Sequence, residues 1–215
     1  MPVSAPSDER SIALAMNPVS RETEARLDRL VELVLKWQRT TNLIAPSTIP
    51  HIWMRHVADS LQLLPLLPEA RQWMDLGSGG GFPGLVIACV AADIPGAKIH
   101  LVESNGKKAG FLREAARALA LPAEVHHGRI EAIVGASSAP VDVVVARALA
   151  PLSQLFTYAE PLLKRGAQAV FPKGQDVEAE LTEASKYWNI EASLVPSKTD
   201  QNGRIVVVRR ATRHL

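Results

Sequence analysis

From residue 71 onward the chain alternates short β-prone runs with helix-patterned segments, and this alternation restricts the fold more than any other feature. "RQWMDLG" (71–77), "AKIHLVE" (97–103), "AEVHHG" (123–128), "VDVVVAR" (141–147) and "GAQAVFP" (166–172) read as strands. Between them, one helix is expected from Pro83-Gly84 to Ala92 and another within 105–121. In the second, Phe111, Leu112, Ala115, Ala116 and Leu119 share one face at the 3.6-residue period. "VGASSAP" (134–140) is loop by its Gly, Ser and Pro, and a further helix runs from about Pro151 to Leu163. A polar helix (176–188) leads to "IEASLVP" and "RIVVVRR", parted only by a short polar turn containing Gly203, which predicts an antiparallel hairpin. Strand–helix alternation implies a parallel sheet covered on both faces. A terminal hairpin added to such a sheet makes one strand run against the rest.

Residues 1–70 differ in pattern. "SRETEARLDRLVELVLKWQ" puts Leu27, Leu30, Val31, Val34 and Trp37 on one stripe behind a candidate N-cap, Ser20. "IWMRHVADSLQLL" is a second amphipathic stretch, ended by Pro65 and Pro68. This part is too short for a strong core of its own. It is expected as a helical extension packed on a core spanning 71–215, the two forming one compact unit.

Composition narrows the class. A hydrophobic content of 47% with 21% charged residues is that of a globular, soluble chain. The longest apolar run, Leu85 to Ala92, is far short of the roughly 20 residues that span a bilayer. The start, "MPVSAPSDER", has no basic region ahead of a long apolar stretch, so no signal peptide is expected and the location is cytoplasmic. The single cysteine, Cys89 in "LVIACVAA", excludes an internal disulfide and reads as an inert core residue. With one Cys and scattered histidines, the linear spacing shows no zinc-ligand pattern, and no metal is expected. His126 and His127 read as structural. A net charge of +2 permits a nucleic-acid partner without demanding one.

"DLGSGGGFPG" (75–84) raises the question of the ligand. Gly79, Gly81 and Gly84 fit the G-x-G-x-x-G dinucleotide pattern, and Glu103 lies 19 residues beyond Gly84. The register argues otherwise. The strand ends at Asp75-Leu76 and Gly77 already turns, whereas the fingerprint glycine begins two residues later. Taken instead from Asp75 and Gly77, the loop lets bare backbone approach an amino-acid moiety and a ribose. Asp75 could then accept from an ammonium, directly or through water, and Glu103 from both ribose hydroxyls. That is the layout of an S-adenosylmethionine site, and the reversed terminal strand agrees with it. No Lys-Ser or Lys-Thr closes a phosphate-binding loop. A tight strand–helix turn without a ligand is the remaining alternative.

The wider motif set resembles the RsmG family, also called glucose-inhibited division protein B. The matching stretches are "KWQRTTNLIAPSTIPHIWMRHVADSLQL" (36–63), "DLGSGGGFPGL" (75–85), "VESNGKKAGFLREAARALAL" (102–121), "GRIE" (128–131), "ARALAPL" (146–152) and "FPKG" (171–174). The resemblance implies a Rossmann-like class I methyltransferase with a mostly parallel seven-stranded sheet and an antiparallel terminal strand. It also implies S-adenosylmethionine as cofactor and methylation of guanine N7 in the 530 loop of 16S ribosomal RNA, with the rRNA or the 30S subunit as partner. By position, Gly77, Gly79 and Phe82 correspond to the cofactor loop, and Glu103 to the ribose acceptor. Ile130 and Glu131 correspond to the pair flanking the adenine, and Arg147 to a cofactor-side arginine facing the active site. Asn42, Arg55, His56, Asp59 and Lys173 fall within matching motifs, the first three as RNA-binding candidates. Lys173 is a candidate for both RNA binding and catalysis, and Arg147 for both cofactor binding and catalysis. The resemblance departs at Thr41, where many relatives carry a bulkier apolar or aromatic residue.

The chemistry is economical. Guanine N7 has a free lone pair, so its methylation removes no proton and requires no general base. Alignment of N7, methyl carbon and sulfur is the protein's task. Exocyclic amines are usually handled by an Asn/Asp-Pro-Pro-aromatic loop after the fourth strand, where this chain reads "ARALAP". Cytosine C5 requires a nucleophilic thiol, and Cys89 is misplaced for that. Arg147, Lys164, Arg165 and Lys173 are read as following strand ends on the expected active face, and Arg165 joins the RNA-binding candidates. Two other functions fit parts of the sequence: an S-adenosylmethionine-binding RNA or regulatory module without activity, and an NAD-dependent oxidoreductase. A monomer is expected.

Overall fold

The computed structural model describes residues 6–214 of the chain. Seven strands form one sheet in the order β3-β2-β1-β4-β5-β7-β6. They are β1 (Gln72–Leu76), β2 (Lys98–Glu103), β3 (Ala123–His127), β4 (Val143–Val145), β5 (Gln168–Lys173), β6 (Trp188–Pro196) and β7 (Arg204–Arg213). The first five pair in parallel, and β7 runs antiparallel to both β5 and β6, so the reversed terminal strand is present. Two-residue alternation along each strand sends side chains to two buried faces. Trp73, Ile99, Leu101, Val143, Val145 and Val170 enter one core, and Met74, Val102, Val144, Ala169 and Phe171 the other.

The helices are α1 (Pro6–Met16), α2 (Arg21–Gln38), α3 (Asp59–Leu61), α4 (Gly84–Ala91), α5 (Gly106–Ala118), α6 (Ile130–Ala136), α7 (Leu152–Leu163) and α8 (Val177–Ser185). In α2 the Ser20 hydroxyl accepts from the Thr23 amide at 3.1 Å, so the predicted cap is made. The buried stripe Leu27, Leu30, Val31 and Val34 joins the same core as Leu85, Ile87 and Phe111. Polar clamps fasten this contact from outside. Arg26 is bidentate on Asp93 at 2.9 and 2.8 Å, and the Trp37 indole donates to Glu114 at 3.1 Å.

Four readings of the sequence change. Helix α1 was not foreseen, nor was α6, whose last turn takes up the start of the expected 134–140 loop. The 52–64 stretch is not one regular helix but a π-helical turn (Trp53–Ala58) followed by α3, ending in a 3₁₀ turn at Leu64–Leu66. The wider turn still buries Trp53, His56, Val57 and Ala58. Strand β4 is shorter than 141–147, covering only Val143–Val145, and just before it the Asp142 side chain accepts from the Arg71 and Gln72 amides at the entrance to β1. Cys89 is fully buried in α4, and burial pushes its thiol up to about 12, as an inert core residue requires. No helix among the described residues is long and apolar enough to cross a membrane.

Candidate active site

The glycine loop lies at the carboxyl end of β1, where ligands of open parallel sheets gather. Strand β1 ends at Leu76 and α4 starts at Gly84. Gly77 has φ +69°, and a Cβ there would lie 2.7 Å from Leu149 Cδ1. Bare backbone at this point keeps a space open between the loop and Leu149. Asp75, fully buried beneath the loop, accepts from the Gly84 amide at 3.1 Å through Oδ2. That amide is the first of α4, where a dinucleotide pyrophosphate would need its donor. The carboxylate occupying it removes the structural basis of the dinucleotide reading. Burial pushes Asp75 up to about 7, and its Oδ1 is buried without a partner.

Glu103, ending β2, crosses to the loop. Its Oε2 accepts from the Gly79 amide at 2.8 Å and its Oε1 from Asn105 at 2.7 Å. Each oxygen retains a second lone pair, and the side chain stands on the wall of a cavity of about 290 Å³. Gly77, Gly79, Ile130 and Glu131, all cofactor-binding candidates, line that cavity with Glu103. Ser104, Lys108, Arg129, Leu149 and Tyr158 line it too and were not singled out. Ser104 and Lys108 lie inside the quoted "VESNGKKAGFLREAARALAL" motif, and Arg129 and Leu149 inside "GRIE" and "ARALAPL", so the signal for four of the five was present. Asp75 and Phe82 do not line the cavity.

A second cavity of about 310 Å³ adjoins the first, with Ala148 on both walls. Arg55, Arg147, Lys173 and Arg204 supply its cations, and Asp59, Glu180 and Asp200 its acids. The charges are paired: Arg147 with Asp59 at 3.1 Å, Lys173 with Glu180 at 2.7 Å and Arg55 with Asp200 at 3.2 Å. Arg147, expected on the cofactor side, belongs to this second wall. Its guanidinium also donates to the Arg55 carbonyl at 2.8 Å and to His56 Nδ1 at 2.6 Å. His56 Nε2 meets the Thr48 hydroxyl at 2.8 Å, and the ring packs on Phe82 with centroids 4.8 Å apart.

His56 is therefore a support and not a surface RNA contact. It is 7% exposed, and burial, reinforced by Arg147 and Arg55, lowers its pKa to about 3. The neutral ring accepts from Arg147 and donates to Thr48. Asn42 is exposed but lines neither cavity, and its Oδ1 accepts from Gln38. Arg165 lies at the wrong edge of the sheet for the expected role. It follows α7 and precedes β5, so the crossover returns it to the amino ends of the strands, where it donates to the Ser137 carbonyl at 2.5 Å. The turn between β6 and β7 contributes Thr199 and Asp200, and the first residue of β7 contributes Arg204, which sequence reasoning missed. Gln62 reaches that turn by accepting from the Lys198 amide at 2.8 Å, and Thr199 donates to Asp59 at 2.7 Å. A polar turn between two strands carries no mark of such contacts.

Sheet order, reversed strand and glycine loop define the fold of class I S-adenosylmethionine-dependent methyltransferases. Solved structures agree on the fold. The O-methyltransferase TomG from Streptomyces achromogenes, in complex with SAM, aligns with TM-score 0.59 at 15% identity, covering 96% of this chain and 99% of that one. An O-methyltransferase from Bacillus cereus in complex with SAH gives 0.55 at 17% identity, covering 85% and 91%. The family model described as rRNA small subunit methyltransferase G (GidB) matches residues 23–206. A protein of Bradyrhizobium sp. strain BTAi1 called ribosomal RNA small subunit methyltransferase G is 60% identical over 96% of this chain and 93% of its own length. One of the same name from Rhodopseudomonas palustris strain BisB5 is 53% identical over 99% and 92%. The chain belongs to the rRNA small subunit methyltransferase G family.

Proposed function

We propose that this protein methylates N7 of a guanine in the 530 loop of 16S ribosomal RNA, with S-adenosylmethionine as methyl donor. One observation carries the reading: a cavity walled by glycine backbone and Glu103 opens beside a cavity walled by paired cations, with Ala148 on both. The first fits the cofactor because an added Cβ at Gly77 would close it against Leu149, and because Glu103 retains lone pairs for two ribose hydroxyls. The backbone of Gly77 and Gly79 would border the amino-acid end, and Ile130 with Glu131 the adenine. Asp75 acts from beneath, by fixing the start of α4 under the loop. When bound, the sulfonium supplies an electrophilic methyl group.

The chain's own residues hold the acceptor. Arg147, tied to three partners, is a fixed guanidinium on the second wall, and Lys173 is held by Glu180 and the Ala150 carbonyl at 3.1 Å. Such fixed groups orient an RNA base and phosphate without reorganising. Methylation at N7 makes the base cationic and releases no proton, so no side chain has to act as a base. Asp59, Glu180 and Asp200 offset the wall's cations and keep it from opposing that new charge. A thiol mechanism at cytosine C5 is unsupported, since Cys89 is sealed in α4. On this reading the chain works in the cytoplasm as a monomer.

The test is transfer of labelled methyl to 30S particles and to naked 16S rRNA, followed by mapping of the modified base. Label at N7 of a 530-loop guanine is expected. Label on an exocyclic amine, on protein, or on neither RNA substrate would sink the reading.

A further inference from the structure

Three side chains with no part in this chemistry meet at the edge of the sheet. His100 lies on β2, and Glu124 and His126 lie on the edge strand β3. Parallel register sets His100 opposite Glu124 and Val102 opposite His126. Residues two apart on a strand face the same way, so Glu124 and His126 act as a pair. His100 Nδ1 lies 3.0 Å from His126 Nε2, and that nitrogen lies 3.8 Å from Glu124 Oε1. One donor atom from each residue falls within 4.8 Å of the other two.

The geometry points to a binding site for a divalent transition-metal ion of the Zn²⁺ class, held by His100, Glu124 and His126, that clips β3 to β2. Imidazole nitrogen and carboxylate oxygen bind Zn²⁺ at about 2.0–2.2 Å, which at tetrahedral angles places donors about 3.3–3.6 Å apart. The observed 3.0 and 3.8 Å separations straddle that spacing. Two nitrogen donors favour zinc, nickel or copper over the oxygen-seeking Mg²⁺ and Ca²⁺. His100 is 4% exposed, so packing fixes its ring, and burial followed by His126 disfavours its charged form. His126 is partly exposed and Glu124 exposed, which gives an ion a route in and leaves a fourth position for water. Lys98 Nζ holds Glu124 Oε2 at 2.7 Å, leaving Oε1 toward the histidines. Binding displaces the hydrogen bond between the rings, and the ring donating it takes its other tautomer. None of the three ligands lines either cavity described above.

The linear spacing hid this cluster because pairing of two strands, not a short motif, assembles it. The probe is Zn²⁺ alone, titrated against the full chain in competition with a chromophoric chelator. One ion per chain is expected, with affinity falling at least about tenfold in His126→Gln and in Glu124→Gln and unchanged in His127→Gln. Co²⁺ should give the intense visible absorption of a tetrahedral site. A hundredfold excess of Zn²⁺ over its Kd should raise the melting midpoint by about 5–10 °C, and Mg²⁺ should not. Substoichiometric binding, or binding that His126→Gln leaves intact, overturns the site. Imidazole ¹⁵N spectra of the unaltered chain give a test independent of folding. His100 Nδ1 and His126 Nε2 should shift together by one equivalent of Zn²⁺, and unshifted resonances refute the proposal.

Discussion

The two adjoining cavities are built by opposite means. The cofactor-side wall is mostly backbone: glycines at positive φ, amides gathered by Glu103, and a helix start pinned by Asp75. Its key contacts join residues 75–84 to 103–105, the ends of neighbouring strands. The acceptor-side wall is made of side-chain ion pairs joining partners far apart in sequence: Arg147 to Asp59, Arg55 to Asp200, Lys173 to Glu180. One wall depends on the absence of side chains and the other on their mutual restraint. Damage to each should therefore look different.

The largest separation is expected from Gly77→Val. A β-branched residue at φ +69° is strained, and its Cβ would drive into Leu149 across the cavity mouth. Affinity for S-adenosylmethionine, measured by calorimetry, should fall at least about a hundredfold, with RNA binding retained. Arg147→Met attacks the other wall. It leaves Asp59 without its guanidinium and His56 without its donor. Methyl transfer should fall about a hundredfold through lost alignment, while cofactor affinity shifts less than about threefold. An equal loss of cofactor affinity in both variants would mean that the walls act as one unit and the contrast is false.

The same contrast explains what could be read from the sequence. Strand–helix alternation and the apolar periods of 71–215 carried the sheet and its reversed strand, because local pattern and burial agree there. Gly77, Gly79 and Glu103 were legible because their chemistry is backbone conformation and a carboxylate at a strand end. On the acceptor side, Arg147 and Lys173 were reached by their positions on the expected active face and by resemblance, and Arg55 through resemblance. Asp200 and Arg204 were missed, since nothing marks the docking of a polar turn, and of the strand start that follows it, onto Gln62 and Asp59. His56, an RNA-binding candidate by its motif, is instead buried in a π-helical turn that the sequence pattern did not mark. Arg165 failed for a topological reason: a residue after a helix and before a parallel strand lies on the far edge.

A smaller effect sharpens the comparison through salt. Arg204 lines the acceptor cavity and donates to the Gln201 and Gly203 carbonyls, so its charge is available to a phosphate. Arg204→Gln should lower RNA affinity a few-fold and reduce the slope of log affinity against log salt by about 0.7, one single-strand phosphate contact. Cofactor affinity should not change. An unchanged slope would remove Arg204 from the RNA path.

The smallest effect is in stability, where the two walls have opposite pH signatures. Burial raises Asp75 from its ordinary 3.8 to about 7. Between those values the folded chain holds a proton that the unfolded chain has released, so stability falls as pH rises through the window. His56 is lowered from 6.5 to about 3. Between those values the unfolded chain binds a proton that the folded chain refuses, so stability rises with pH. From about pH 4 to 6.5 the two slopes oppose each other and partly cancel. Asp75→Asn, which keeps an acceptor for the Gly84 amide, should expose the histidine slope, with urea midpoints climbing from pH 4.5 to 6.5. His56→Gln, which can still accept from Arg147 and donate to Thr48, should expose the carboxylate slope, with midpoints falling over the same range. Parallel profiles in the two variants would show that at least one group is not held in its buried, unfavoured state. The wall it supports would then be looser than the hydrogen bonds around it imply.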